Sequence, residues 1–388
     1  MNDKDEANEE EKKFDFNSSY TNNLPKILKK LNISLVVTSY QTARLFFIRS
    51  DGERIETNFK EYPRPMGIYA DEHRLTLGTF SEVLEFKRSN DILTQIKSGK
   101  LDNEKKFTKK TLEKDKEQRE AFKKHRKEEL DEIKNADALY LPRASITTGM
   151  INIHDIAWGN EGLWVVNSTF SCLSTLSPDC SFVAKWKPPF ISELVAEDRC
   201  HLNGMAMKDG KPKYVTTFNQ FDECDSWTKK SKHNGTLIDV DTNEILLEGL
   251  IMPHSPRYHK GFVYVCESGT GQVWKYNPKT KKKEELVKLQ GFTRGMSFYG
   301  DLMFVGLSKS RASDIKNPIP LTKEYNETFS GIWIINLTNG SEIAHIKFEG
   351  DVDQIYDVAV IPNATQPTLL QGHSHLTRHI FDFKENIV

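Results

Sequence analysis

Three histidines stand at matching places in this sequence, each a few residues ahead of an apolar run: His154 before Ile156, His201 before Met205 and His254 before Tyr258. Imidazole nitrogens bind metals, move protons and accept hydrogen bonds, so histidines from separate segments that converge on one point are candidates for chemistry. Their neighbours enlarge the set. Glu197-Asp198-Arg199-Cys200-His201 places five functional groups in succession, and Arg257, Arg294, Lys309 and Arg311 add positive charge. Asp198, His201 and Arg294 are the catalytic candidates, with Asp198 in reach of base chemistry. Arg143, Asp155, Arg199, Asn203, Arg257, Lys309 and Arg311 are the ligand-binding candidates. A guanidinium offers its donors in a fixed fork that suits carboxylate or phosphate. Asp222, Glu223 and Asp225 could equally neutralise part of this charge. His154, His201 and His254 together could hold a divalent metal with an open position, which would suit a metal-assisted hydrolase or lyase. The plainer alternative is that each imidazole ties its own segment to a neighbour by a hydrogen bond.

Other motifs are weaker. Glu267-Ser268-Gly269-Thr270-Gly271 lacks the spacing of a nucleophile elbow, and no phosphate-loop or dinucleotide fingerprint occurs. His373-Ser374-His375 reads as a surface tail. The tryptophans at 158, 164, 186, 227, 274 and 333 are spaced as packing residues.

The elements that must position these groups are strands. Six segments share a pattern of polar residues, often a glycine, then an apolar run whose first residue is Ile68, Ile156, Met205, Tyr258, Met296 or Val358. Each is followed by further short β-like runs separated by turns. Once a charged insert at 100–135 is set aside, the repeat length of roughly 40–50 residues with about four strands is that of a β-propeller blade. The expected fold is all-β, a six-bladed propeller. The strands of 34–59 lack an inner strand of their own and should complete the blade begun by Tyr356-Ile361, closing the ring; Thr368-Leu369-Leu370 leaves a seventh blade open. The expected organisation is a disordered tail over 1–24, one propeller domain over 25–372 and a C-terminal tail over 373–388. The insert lacks a sustained apolar stripe, and a solvated helix or a disordered excursion is expected there.

In such a ring the innermost strands line the channel. The position two before each aligned apolar residue holds Met66, His154, Asn203, Pro256, Arg294 and Tyr356, and two further back stand Arg64, Asn152, His201, His254, Phe292 and Gln354. Strand side chains alternate, so both columns should face one mouth. The column one residue before each aligned position reads Gly67, Asp155, Gly204, Arg257, Gly295 and Asp357, where glycine would permit close backbone approach.

Composition limits the partners. With 54 basic and 55 acidic residues the net charge is −1, so no global field points to nucleic acid or an anionic membrane. No apolar run approaches the roughly 20 residues of a membrane span. The N-terminus lacks the apolar core of a secretory leader, and five cysteines without paired spacing fit reduced thiols, so a cytoplasmic location is expected. The expected partner is a small polar, anionic molecule or a peptide end at the channel mouth. The alternative is a non-catalytic interaction scaffold that binds proteins through outer loops and the 100–135 insert.

The strings EDRCHLNG, MPHSPR and GFTRG, with the longer stretch that begins at Leu141 and runs through Ile153-His154-Asp155, carry a resemblance. They resemble an uncharacterised family of conserved hypothetical proteins with a domain of unknown function and a propeller-like fold, over residues 33–365. The resemblance implies that Arg143, His154, Asp155, Asp198, Arg199, His201, Asn203, His254, Arg257, Arg294, Lys309 and Arg311 are family motif positions. It implies no reaction.

Overall fold

Short alternating segments broken by turns cannot bury an apolar face alone, so they stack as sheets around an axis. The computed structural model of the chain describes residues 14–100, 116–229 and 232–384. Among these residues six sheets form, antiparallel throughout except for one terminal pairing. Blade 1 holds Ile68–Ala70, Arg74–Gly78, Glu82–Arg88 and Ala138–Thr147, and blade 2 holds Ile153–Gly159, Gly162–Asn167, Cys172–Ser177 and Cys180–Trp186. Blade 3 holds Leu202–Lys208, Lys211–Thr217, Gly235–Asp239 and Ile245–Leu250, and blade 4 holds Pro253–His259, Phe262–Glu267, Gln272–Asn277 and Lys282–Lys288. Blade 5 holds Phe292–Tyr299, Leu302–Ser308, Gly331–Asn336 and Glu342–Phe348. The first strand of each packs on the first strand of the next, and the cycle returns from blade 6 to blade 1. The protein is a β-propeller.

Blade 6 closes the ring as the sequence pattern predicts. Its inner strand, Asp357–Pro362, comes from the C-terminal end, and its other three, Ile33–Ser39, Arg44–Ser50 and Ile55–Glu61, come from the N-terminal end. No seventh blade exists among the described residues. Pro367–Leu369 instead pairs in parallel with Ala138-Leu139-Tyr140 as a fifth strand of blade 1. Ser18–Tyr20 likewise adds a fifth strand to blade 5, antiparallel to Glu342–Phe348.

The ends of the chain are therefore more ordered than the tails expected from polarity alone. Residues 14–24 carry apolar anchors, with Phe16 edge-on to Phe46 at 5.3 Å. Helix Leu24–Leu31 then buries Leu24, Pro25 and Leu28 and stops at Asn32, which takes the left-handed conformation asparagine tolerates. At the other end, Leu376 packs with Ile92, Leu93, Ile96 and Ile133. Residues 1–13 and 385–388 of the expected tails lie outside the described residues, as do 101–115 of the insert. Its remainder forms helix Lys116–Asn135, which sits on the short helix Asn90–Lys97. Its buried contacts come from Leu130 and Ile133 near the C-terminal end, which is why no stripe runs through the sequence.

The largest core cluster lies at the closing joint and combines helix Leu24–Leu31 with blades 5 and 6. Phe348 of blade 5 is fully buried there and packs on Phe46 of blade 6, ring centroids 5.6 Å apart. Phe348→Ala should lower unfolding stability by about 3–5 kcal/mol, measured by urea denaturation. A loss below about 1 kcal/mol would show that the joint does not depend on this contact.

Candidate functional site

At four of the six strand starts the shared sequence pattern is a β-bulge. In blades 2 to 5 the register between the first and second strands slips at this point: near His154, near Asn203, between His254 and Arg257, and between Thr293 and Met296. An extra residue on the inner strand bends it and re-aims side chains, a feature common beside functional sites. Backbone conformation marks the same places. Arg64, Asn152, His201 and Met252 all have φ between 47° and 54°, which costs a non-glycine residue on the order of 1 kcal/mol or more.

These four residues line one cavity of about 250 Å³ at the axis, with Tyr40, Met66, His154, Phe218, Trp227, His254, Phe292, Arg294, Arg311 and Tyr356. All six blades contribute. The lining holds three arginines and no carboxylate. Arg294 is the deepest, only 6% exposed, and its guanidinium lies 3.8 Å over the Tyr356 ring. Among the described residues no carboxylate pairs with it. Burial pulls its pKa below the ordinary arginine value, opposed by Tyr356 and reinforced by Arg311. Arg311 donates from Nε to Gln354 Oε1 at 3.1 Å and from Nη2 to Tyr40 Oη at 2.8 Å. Arg64 reaches Asn152 Oδ1 at 3.4 Å.

Each histidine uses its Nδ1 on the protein. His154 Nδ1 lies 2.9 Å from Asn152 O and 2.7 Å from Ser168 Oγ. His254 repeats this with Met252 O at 3.1 Å and Ser268 Oγ at 2.8 Å. Burial, with Arg294 and the neighbouring imidazoles, holds both histidines well below the ordinary pKa, so they are neutral. His201 Nδ1 donates to Asp198 Oδ2 at 2.7 Å, and its ring stacks on Trp227 at 4.0 Å. Asp198 therefore stands behind His201 and orients it; it does not itself line the cavity. The expected metal set is not assembled: among the described residues no group of three or more His, Cys, Asp or Glu is placed to hold a metal ion.

The ligand-binding candidates divide. Arg311 joins Arg294 and the histidines in the cavity, and six do not line it. Arg143 sits on the last antiparallel strand of blade 1, paired with Asp382 at 2.5 Å. Arg199 is held between Glu197 at 2.9 Å and Asp222 at 2.8 Å, and Lys309 pairs with Asp353 at 2.7 Å. Asn203 donates to Pro253 O at 2.8 Å and accepts from Thr216 Oγ1 at 2.7 Å, turned from the cavity by its bulge.

Asp155 and Arg257 belong to a second layer. Arg257 donates from Nη1 and Nη2 to the two oxygens of Asp155, at 2.6 and 3.2 Å, and its Nη2 stands 3.5 Å from Asp357 Oδ1. It also donates to Met205 O and Met296 O, both at 3.1 Å. Asp155 accepts from Met205 N at 3.0 Å, and Asp357 accepts from Ile68 N at 3.3 Å. These charges come from blades 2, 4 and 6, and the main-chain groups of other blades that they bind come from blades 1, 3 and 5. Glycine occupies the same column in the odd blades. A Cβ on Gly295, at φ 76°, would come within 2.7 Å of Asp357 Cα, and one on Gly204 within 2.4 Å of Pro256 Cδ.

Sequence reasoning missed Tyr40, Phe218, Trp227 and Met252 as cavity residues. The first three lie outside the repeated columns; Trp227, read as packing, is carried in by the loop that links the second and third strands of blade 3. Met252 stands two residues before His254, in a column whose other members do not line the cavity.

The family model described as Domain of unknown function (DUF4915) matches residues 22–112 and 108–370. The chain belongs to this family. In this DUF4915 protein the match takes in all the cavity residues and the layer of paired charges behind them, in agreement with the resemblance carried by the motif strings. No curated protein matches the chain in sequence. Among solved structures, a chain of the "Crystal structure of Nidogen/Laminin Complex" is similar with a TM-score of 0.50 and 10% identity, covering 85% of this chain and 99% of that one. At that identity the likeness shows the fold alone. Among the described residues no helix is long and apolar enough to cross a membrane.

The paired-charge layer makes stability depend on pH. Burial, with Asp155 adding and Arg257 opposing, pushes the Asp357 carboxyl up to about 7 from 3.8. The folded state thus holds this proton where the unfolded chain has released it, so the contribution is full at low pH and is lost as pH rises toward 7. Asp357→Asn should gain stability relative to the parent between pH 5 and 7, then level off, as read from urea midpoints. A constant difference across that range would contradict the assignment.

Proposed function

We propose that this DUF4915 propeller binds a small anionic ligand in the axial cavity, with Arg294, Arg311 and Arg64 holding the charge. The observation that carries the reading is the contrast between two arginines near the axis. Arg257 has two aspartates and three main-chain carbonyls. Arg294, on the inner strand of the next blade, has an aromatic ring and no carboxylate among the described residues. A buried cation without a counterion costs several kcal/mol unless something supplies the charge. A bound carboxylate or phosphate supplies it through charge-assisted hydrogen bonds. The free carboxylate of a peptide end satisfies the same arginines, and the cavity volume suits a small molecule or a single terminal residue.

The alternative scaffold reading draws on the fold, which hosts both roles. It leaves the strained strand starts and the uncompensated guanidinium without purpose. For chemistry beyond binding, His201 is the candidate, its Nδ1 engaged by Asp198 in the manner of a base and its orienting carboxylate.

The parent protein should show a rise in thermal stability with citrate or inorganic phosphate that saturates. Arg294→Ala should weaken binding of either anion by about tenfold or more, because charged partners in buried sites are worth 2–5 kcal/mol. Lys309→Ala, which alters an exposed pair outside the cavity, should leave it unchanged. Equal loss in both variants would indicate nonspecific charge screening rather than a cavity site.

A further inference from the structure

The anion reading leaves the two histidine–serine pairs unused. His154 and Ser168 are fourteen residues apart in blade 2, and His254 and Ser268 are fourteen apart in blade 4. In both, the serine hydroxyl donates to a main-chain carbonyl of the next blade, Leu202 O or Thr293 O. With its one proton committed, the serine oxygen faces the imidazole as an acceptor. The second neighbour of each Nδ1 is a carbonyl, Asn152 O or Met252 O, which can only accept. Each Nδ1 therefore carries the hydrogen, and each Nε2 keeps a lone pair. No described protein group bonds either Nε2.

Two walls of the cavity thus present fixed acceptors, while the arginines present donors and positive charge. An acceptor with no protein partner calls for a donor on the ligand. An ammonium group is opposed by three arginines in a lining without carboxylates, which leaves neutral donors, chiefly hydroxyl groups. Apolar walls are supplied by Phe218 and Phe292, edge-on to His254 at 5.0 and 5.4 Å, and they suit the C–H faces of a compact polyol.

Building on the anion reading, we infer that the ligand is a polyhydroxylated anion of about monosaccharide size, its acidic group on Arg294 and Arg311 and its hydroxyls on Nε2 of His154 and His254. A sugar acid and a sugar phosphate share this chemistry. The inference extends the anion proposal and fails separately from it.

Calorimetric titration of the full chain with D-glucuronate and glucose 6-phosphate tests it, against acetate and inorganic phosphate as anions without hydroxyls and glucose as the polyol without charge. At least one hydroxylated anion should bind tenfold or more tightly than its plain counterpart, and glucose should bind more weakly than either. The better of the two identifies the acidic group. His254→Phe should erase that advantage while plain-anion affinity stays within about twofold. Should acetate and phosphate match their hydroxylated partners, the polyol inference is overturned and the anion site stands. Should no anion bind, or Arg294→Ala bind as the parent does, the anion site falls and this inference with it. Nitrogen-15 spectra of the histidines in the unaltered protein give a check free of folding effects. Hydrogen on Nδ1 and a bare Nε2 at His154 and His254 are expected, and hydrogen on Nε2 of both would overturn the assignment.

Discussion

A single guanidinium, held between two aspartates at the axis, is the interaction around which this ring is organised. Apolar packing between blades is non-directional and tolerates several angles and blade numbers. The Arg257 pairs with Asp155 and Asp357 do not. Taking these groups out of water is costly, and the cost is recovered only with good geometry and additional hydrogen bonds. Here those bonds go to the main chain of the intervening blades, so the inner strands must converge to within hydrogen-bonding distance of one point. The alternation of glycine with a charged residue around the ring follows from that demand. In odd blades a side chain would collide with the neighbouring strand, and in even blades one is required.

The same alternation divides the axis electrically. One layer carries two carboxylates for one guanidinium, and folding answers the excess by retaining a proton on Asp357. The cavity beside it carries arginines and histidines without a carboxylate. Arg294 and Asp357 are thus shifted by the same cause, burial, toward the uncharged form, but only the aspartate is given partners of opposite sign. A lone positive group beside a strained backbone is costly to stability and is the arrangement expected of a site shaped for something not part of the chain.

Much of this was legible in the residues. Column alignment brought out the blades, the closure through 34–59 and the mouth that holds His154, His201, His254 and Arg294, while Arg311 stood out only as a basic residue outside the columns. What alignment could not supply was the bulge. Strict alternation puts Asn203 and Pro256 in the cavity, but an inserted residue breaks the period of two, so Asn203 turns to Pro253 O and Thr216. Pairing between distant charges was equally hidden: Arg257 meets Asp155 across 102 residues, and nothing local distinguishes it from Arg294. Trp227 and Phe218 arrive on the long loop between the second and third strands of blade 3, as Arg311 does on the corresponding loop of blade 5, and periodicity is silent about such insertions. Ser18–Tyr20 escaped notice because three residues are too few for a pattern, and Thr368-Leu369-Leu370 stood out as apolar but nothing local said that it would join blade 1 rather than start a seventh blade.

Those two strands place the first and last parts of the chain on the blades that flank the closing one. Tyr40 and Tyr356 stand on the same joint, facing Arg311 from blade 5. The arginine end of the cavity is therefore made from residues more than 300 positions apart, and it exists only after the two termini have met. A molecule bound there would act as a rivet across the last gap to close, adding RT ln(1 + [L]/Kd) to the stability of the finished ring and nothing to an open one. Assembly of the ring and occupancy of its centre are in this way one coupled equilibrium.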